Sequence, residues 1–107
     1  MKLSRDSIDR KLVLLHEEAE ERDAVRRAAE EGFPYLDLKK KPVDASALEL
    51  VSGPKALEAK LIPFAVKGKK LALALYSSKL PKARELIKLL ETRGLKVEVF
   101  ISSLSGL

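Results

Sequence analysis

The stretch LIPFAVKGKKLALALY, residues 61–76, decides the fold. Leu61 to Val66 is an apolar run interrupted only by Pro63, Leu71 to Tyr76 is a second one, and Lys67-Gly68-Lys69-Lys70 lies between them. Two apolar runs joined by a short polar link containing Gly predict a β-hairpin, because Gly reaches the positive φ that tight links need. In the second strand Leu71, Leu73 and Leu75 fall on one face, and Ala72, Ala74 and Tyr76 on the other. Large residues on one side and small ones on the other predict a sheet covered on both faces, with helices lying close over the alanines. Pro63 has no N–H for a ladder, which places it near the start of its strand or on a sheet edge.

Upstream, Phe33 to Leu38 reads as a short strand in which Leu36 and Leu38 share a face, and the loop Lys39-Lys40-Lys41-Pro42 breaks it. Asp44 is a candidate N-cap for a helix over Ala45–Val51 that stops at Gly53, and Pro54 opens another helix reaching about Lys60. Isolated helices this short are marginal, so the sheet must hold them. Downstream, Pro81 opens a helix running to about Arg93, with Ala83, Leu86, Ile87 and Leu90 as its inward stripe and Gly94 as its stop. Lys96–Ile101 is the last strand, with Val97, Val99 and Ile101 on one face and Phe100 on the other. Ser102 to Leu107 has no evident partner within the chain.

The N-terminal Ser4–Glu31 segment reads as a long helix closed by Gly32. Ile8, Leu12, Leu15 and Ala19 form one apolar stripe, and Val25, Ala28 and Ala29 form a second patch rotated from it. One straight helix cannot press both on one small core. Either the helix bends near Glu17–Arg22, or its first half serves another partner.

Composition bounds the function. At 107 residues the chain is one domain by length, and 46% hydrophobic content marks it as globular. It has no Cys, so thiolate chemistry and disulfides are excluded, and its single His16 cannot build a multi-histidine metal site. The net charge of +5 is uneven: residues 1–32 carry −2 and residues 33–107 carry +7. Such a basic body attracts nucleic acid, anionic lipid or acidic protein, or simply keeps the chain soluble. The lysines are scattered along the sequence and not interleaved with aromatics, which favours the solubilising reading. The few Phe and Tyr sit in core-like positions and offer no stacking platform for RNA. Neither a phosphate loop nor G-x-G-x-x-G is present, so Gly68-Lys69-Lys70 reads as a turn. Glu17-Glu18 and Glu20-Glu21 read as a solvated helix face, because no other acidic cluster completes a metal site. The chain has no run long and apolar enough to span a membrane.

From about Asp23 to Leu104 the order of motifs resembles the N-terminal domain of type II secretion and type IV pilus assembly ATPases. The resemblance rests on Ala28 to Leu38, then Pro42-Val43-Asp44 with Ala47 to Val51, and Ala56 through Leu61-Ile62-Pro63-Phe64. It continues with Gly68 to Ala74, the helix ending at Gly94 before Val97-Glu98-Val99, and Ser102-Ser103. It implies a cytoplasmic, non-catalytic interaction domain, peripheral to the inner membrane through its partners. Those partners would be the secretion or pilus platform and a downstream motor domain. Some members of the family bind cyclic di-GMP, which is the alternative function. Two departures bear on this. Ser77-Ser78 stands where the family usually has Asp-Pro, and residues 1–32 lack the Arg-Leu-Gly opening of the dinucleotide binders. ATP hydrolysis is not implied either, because the motor domain is absent from these residues.

The combined expectation is an α+β fold. A small mixed sheet of three or four strands with a central hairpin is packed by helices, with a long N-terminal helix added. Residues 1–22 form a helical extension and residues 23–107 the family domain. Candidate partner-binding residues are Ile8, Leu12 and Leu15, which also suit self-association, and Lys39, Lys40 and Lys41. No catalytic residue, cofactor, metal, nucleic-acid partner or direct membrane insertion is expected.

Overall fold

In the computed structural model, which describes residues 19–103, the hairpin forms as predicted. Strands β1 (Leu61–Lys67) and β2 (Lys70–Leu75) pair antiparallel around a two-residue link, Gly68-Lys69. Gly68 has φ +61°, the conformation required at the first central position of a type II′ turn. Strand β3 (Lys96–Ile101) joins the other side of β2 in parallel, giving the order β1-β2-β3. Helix α4 (Pro81–Thr92) supplies the crossover that a parallel pair needs. The remaining helices are α1 (residues 19–31), α2 (Ala45–Leu48) and α3 (Gly53–Ala59). The fold is therefore mixed α+β.

The two sheet faces are covered unequally. Leu71, Leu73 and Leu75 are fully buried under the helices, in one cluster with Ala28, Ala47, Ala59, Ala83, Leu86 and Leu90. Among the described residues the alanine face carries no α-helix. Ala74 is covered instead by Leu36, Leu38 and Phe64, with Phe100 alongside, while Ala65 and Ala72 are only half-buried. This corrects the expectation of helices over the alanines. Bulky leucines supply the apolar area that helices need to dock, and the short chain segment over 36–38 suffices for the small face.

Pro63 lies within edge strand β1, as its missing N–H demands, and the register shifts between Pro63 and Ala65. Phe64 is the extra residue of this bulge, and its carbonyl accepts the Asp44 N–H at 2.8 Å. Because of the bulge, Phe64 and Ala65 both face the alanine side. Val66 pairs with Leu71 on the core side, and Lys67 pairs with Lys70 on the open side.

Several local expectations change. Phe33–Leu38 contributes only an isolated parallel bridge, Tyr35 to Ile101, before a 3-10 turn over Leu38–Lys40 capped by the Asp37 side chain. Helix α2 ends at Leu48, and Gly53 opens α3 instead of stopping α2, since Ser52 and Pro54 supply a helix start there. Asp44 occupies the N-cap position without a side-chain cap bond. On α1 the buried residues are Ala24 and Ala28, while Val25 and Ala29 face solvent. Ser102 is fully buried within the chain, contrary to the expectation that the last segment lacks a partner.

Candidate functional site

Strands β2 and β3 run parallel, so their C-terminal ends emerge side by side. In open α/β sheets this is where ligands bind. Here α1 crosses that edge and fills it with its own side chains. Asp23, Arg27 and Glu31 recur every four residues, one helical turn apart, and share a face with Ala24 and Ala28.

Arg27 is the centre of this arrangement. Its Nε donates to the Tyr76 carbonyl at 2.6 Å, its Nη2 to the Ser102 carbonyl at 3.1 Å and its Nη1 to Asp23 Oδ2 at 2.6 Å. The guanidinium carbon also lies 3.9 Å from the Tyr76 ring centroid. Arg27 thereby ties the ends of β2 and β3 to one helix, a task that suits a planar fork of donors. Asp23 also accepts from Arg26. That hydrogen bond and the two guanidinium charges outweigh the opposing effect of burial and hold the Asp23 carboxyl below its ordinary pKa.

Glu31 anchors the other end of the edge. It accepts from Ser77 Oγ at 3.0 Å, from the Ser78 N–H at 2.5 Å and from Ser78 Oγ at 2.6 Å. Burial pushes its pKa up, but the Ser78 and Ser77 hydrogen bonds pull harder, leaving it lowered. Glu21 accepts from the Tyr35 hydroxyl, so it is not the purely solvated residue expected. Burial, and then that bond, raise the Tyr35 pKa.

Chemically, this edge is a clasp. The side chains of Asp23, Arg27, Glu31, Ser77 and Ser78 are each held by another group of the chain, whereas the Ser102 hydroxyl is buried without a hydrogen-bond partner among the described residues. Among the described residues no group of three His, Cys, Asp or Glu is placed to hold a metal. No described helix is long and apolar enough to cross a membrane. An apolar groove opens elsewhere, between α2, α3 and β1, lined by Leu48, Val51, Ala56, Leu57 and Ile62.

Of the residues singled out in the sequence, Lys39, Lys40 and Lys41 are exposed at the 3-10 turn, and Lys40 lies 3.9 Å from Asp37. Ile8, Leu12 and Leu15 lie outside the described residues. The clasp itself was not expected from the sequence. Its one legible signal is the Asp23-Arg27-Glu31 spacing beside two buried alanines.

The MshEN domain model matches residues 31–105. No curated protein matches the chain. Among solved structures the chain is similar to MshE with cdg, at TM-score 0.65 and 21% identity, over 74% of this chain and 56% of that one. It is also similar to the N-terminal domain of XpsE, at TM-score 0.62 and 19% identity, over 97% of this chain and 81% of that one. At these identities the likeness shows a shared fold. The chain spans little more than half the length of the MshE chain.

Proposed function

The chain belongs to the MshEN family, the N-terminal domains of type II secretion and type IV pilus ATPases, and on that premise we propose that it docks such a motor to its platform. MshEN is a regulatory, non-catalytic domain. The observation that carries the docking reading is the Arg27 clasp. The crevice at the ends of the parallel strands is filled by α1, so recognition falls to the outward surfaces and the apolar groove beside α2 and α3, which suit protein partners. The chain's first residues, with Ile8, Leu12 and Leu15, lead directly into the clasped helix. A docked stripe there would be mechanically coupled to the sheet. A domain held in this way would stand at the inner membrane through its partners.

The test is calorimetry of the chain against the cytoplasmic part of the platform protein encoded with it. Saturable binding tighter than about 10 μM is the expected result. Heats indistinguishable from dilution would overturn the docking role.

A second reading, cyclic di-GMP binding, is raised by the MshE structure with cdg. Against it stand the missing Arg-Leu-Gly opening and the engagement of Arg27 by four groups of its own chain. Titration with cyclic di-GMP should give no isotherm below about 10 μM, roughly −7 kcal/mol. A saturable one would replace the docking reading with the regulatory-ligand one.

A further inference from the structure

The lysines that look scattered in the sequence are gathered by the sheet. Lys67 pairs with Lys70 across β1 and β2, and Lys70 pairs with Lys96 across β2 and β3. Residues paired in this way point to the same side, and neighbouring strands are roughly 4.8 Å apart. The three form one rung at the hairpin end of the alanine face, with Lys69 in the adjoining turn. Like charges directly opposite each other on a sheet are destabilising. Among the described residues the one carboxylate within ion-pair distance of this rung is Glu98, 3.9 Å from Lys70 and itself half exposed.

The same face receives a second set. Leu38 packs on it beside Phe64 and Ala74, so the 3-10 turn lays the exposed Lys39-Lys40-Lys41 segment over its other end. Between the two sets lies the rung Ala65, Ala72 and Glu98, in which the alanines are half-buried and too small to project and Glu98 reaches toward Lys70. Among the described residues no α-helix covers this face.

We infer that this lysine-bearing face is a contact surface for an anionic lipid bilayer at headgroup level. Three features select that occupant. The described arginines lie on α1, on α4 or at the end of α4, so the face offers point charges and none of the forked donors that fix a single phosphate or carboxylate. Phe64 is buried, and the half-buried Phe100 packs edge to face on it with ring centroids 5.5 Å apart, so the face offers no exposed aromatic platform for bases. An array of exposed lysines, with Lys40 and Lys70 only loosely paired to Asp37 and Glu98 at 3.9 Å, suits a broad, fluid layer of negative charge. The inference is independent of the protein-docking reading, because its surface and its test involve no platform protein.

Co-sedimentation of the 107-residue chain with vesicles tests it. The chain should pellet with vesicles containing phosphatidylglycerol, remain in solution with pure phosphatidylcholine, and be released by high salt. The variant K67A/K70A/K96A should lose about a hundredfold in partitioning, about fivefold per lysine. Its thermal midpoint should be unchanged or higher, since repulsion is relieved. A charge-matched variant on the helical side, K79A/K82A/K88A, should bind as the parent does. Equal losses in the two variants would mean that net charge alone acts and would overturn the proposal. So would failure to pellet with the anionic vesicles at low salt. Displacement from the vesicles by soluble polyglutamate at equal charge concentration would assign the face to an acidic protein and overturn the lipid reading.

Discussion

Arg27 and Tyr76 meet twice: the guanidinium stacks 3.9 Å from the ring centroid, and its Nε donates to the same residue's carbonyl at 2.6 Å. The two contacts use different parts of Tyr76, so they fix both the ring and the end of β2 relative to α1. Cation–π stacking on a half-buried ring contributes about 0.5 to 2 kcal/mol, and a hydrogen bond from a charged donor about 1.5 to 3.

Arg27→Ala should therefore destabilise the domain by about 2 to 4 kcal/mol in urea melts, leaving the Tyr76 and Ser102 carbonyls without their donor. Arg27→Lys should recover less than half of that, because one ammonium cannot span carbonyls at the ends of two strands. Hydrogen exchange should show α1 opening before the sheet in both variants. A loss under about 0.5 kcal/mol for Arg27→Ala would mean that the clasp contributes little.

Glu31 predicts an acid-sensitive component. Its carboxyl pKa is lowered in the folded chain from an ordinary 4.5. The folded state thus binds the proton more weakly than the unfolded state. Its contribution is fully present above about pH 4.5 and fades as pH falls through the lowered folded value. Glu31→Gln should flatten the acid limb of stability below that pH and leave its slope near neutrality unchanged. Parallel curves for the two proteins between pH 3 and 5 would rule out Glu31 as the source.

Leu73 is fully buried at the centre of the helix-covered face. Leu73→Ala should cost about 2 to 5 kcal/mol, a large share of the roughly 5 to 15 available to a domain of this size. Ala72→Ser, one residue along on the half-open face, should cost under about 1 kcal/mol, because its hydroxyl can reach water. Comparable losses in urea melts would show that the two faces are equally closed.

Deletion of residues 1–16 tests the proposed docking stripe. On a helical wheel Ile8, Leu12 and Leu15 fall roughly opposite the buried Ala24 and Ala28. The truncated chain should melt within a few degrees of the parent and lose any concentration-dependent association. A collapse of the thermal midpoint would place the stripe in the core of its own domain.

The hairpin, the crossover helix α4, the last strand and the family were legible in the sequence, because each rests on local rules. Gly68 reaches its positive φ anywhere, Pro81 starts a helix wherever a first turn is available, and Leu71, Leu73 and Leu75 share a side in any strand. The Phe64 bulge was not legible. Strict alternation puts Leu61, Pro63, Ala65 and Lys67 on one face, and only the register against β2, with the Asp44 N–H on the bulged carbonyl, moves Val66 into the core and Lys67 to the open side. The clasp and the lysine rung depend on the same kind of placement. Arg27 meets Ser102 across 75 residues, and Lys70 meets Lys96 across a whole crossover. Hydrophobic periodicity is a property of neighbours in sequence, whereas a polar or charged group takes its meaning from what the finished fold sets beside it, and only the tertiary structure decided that.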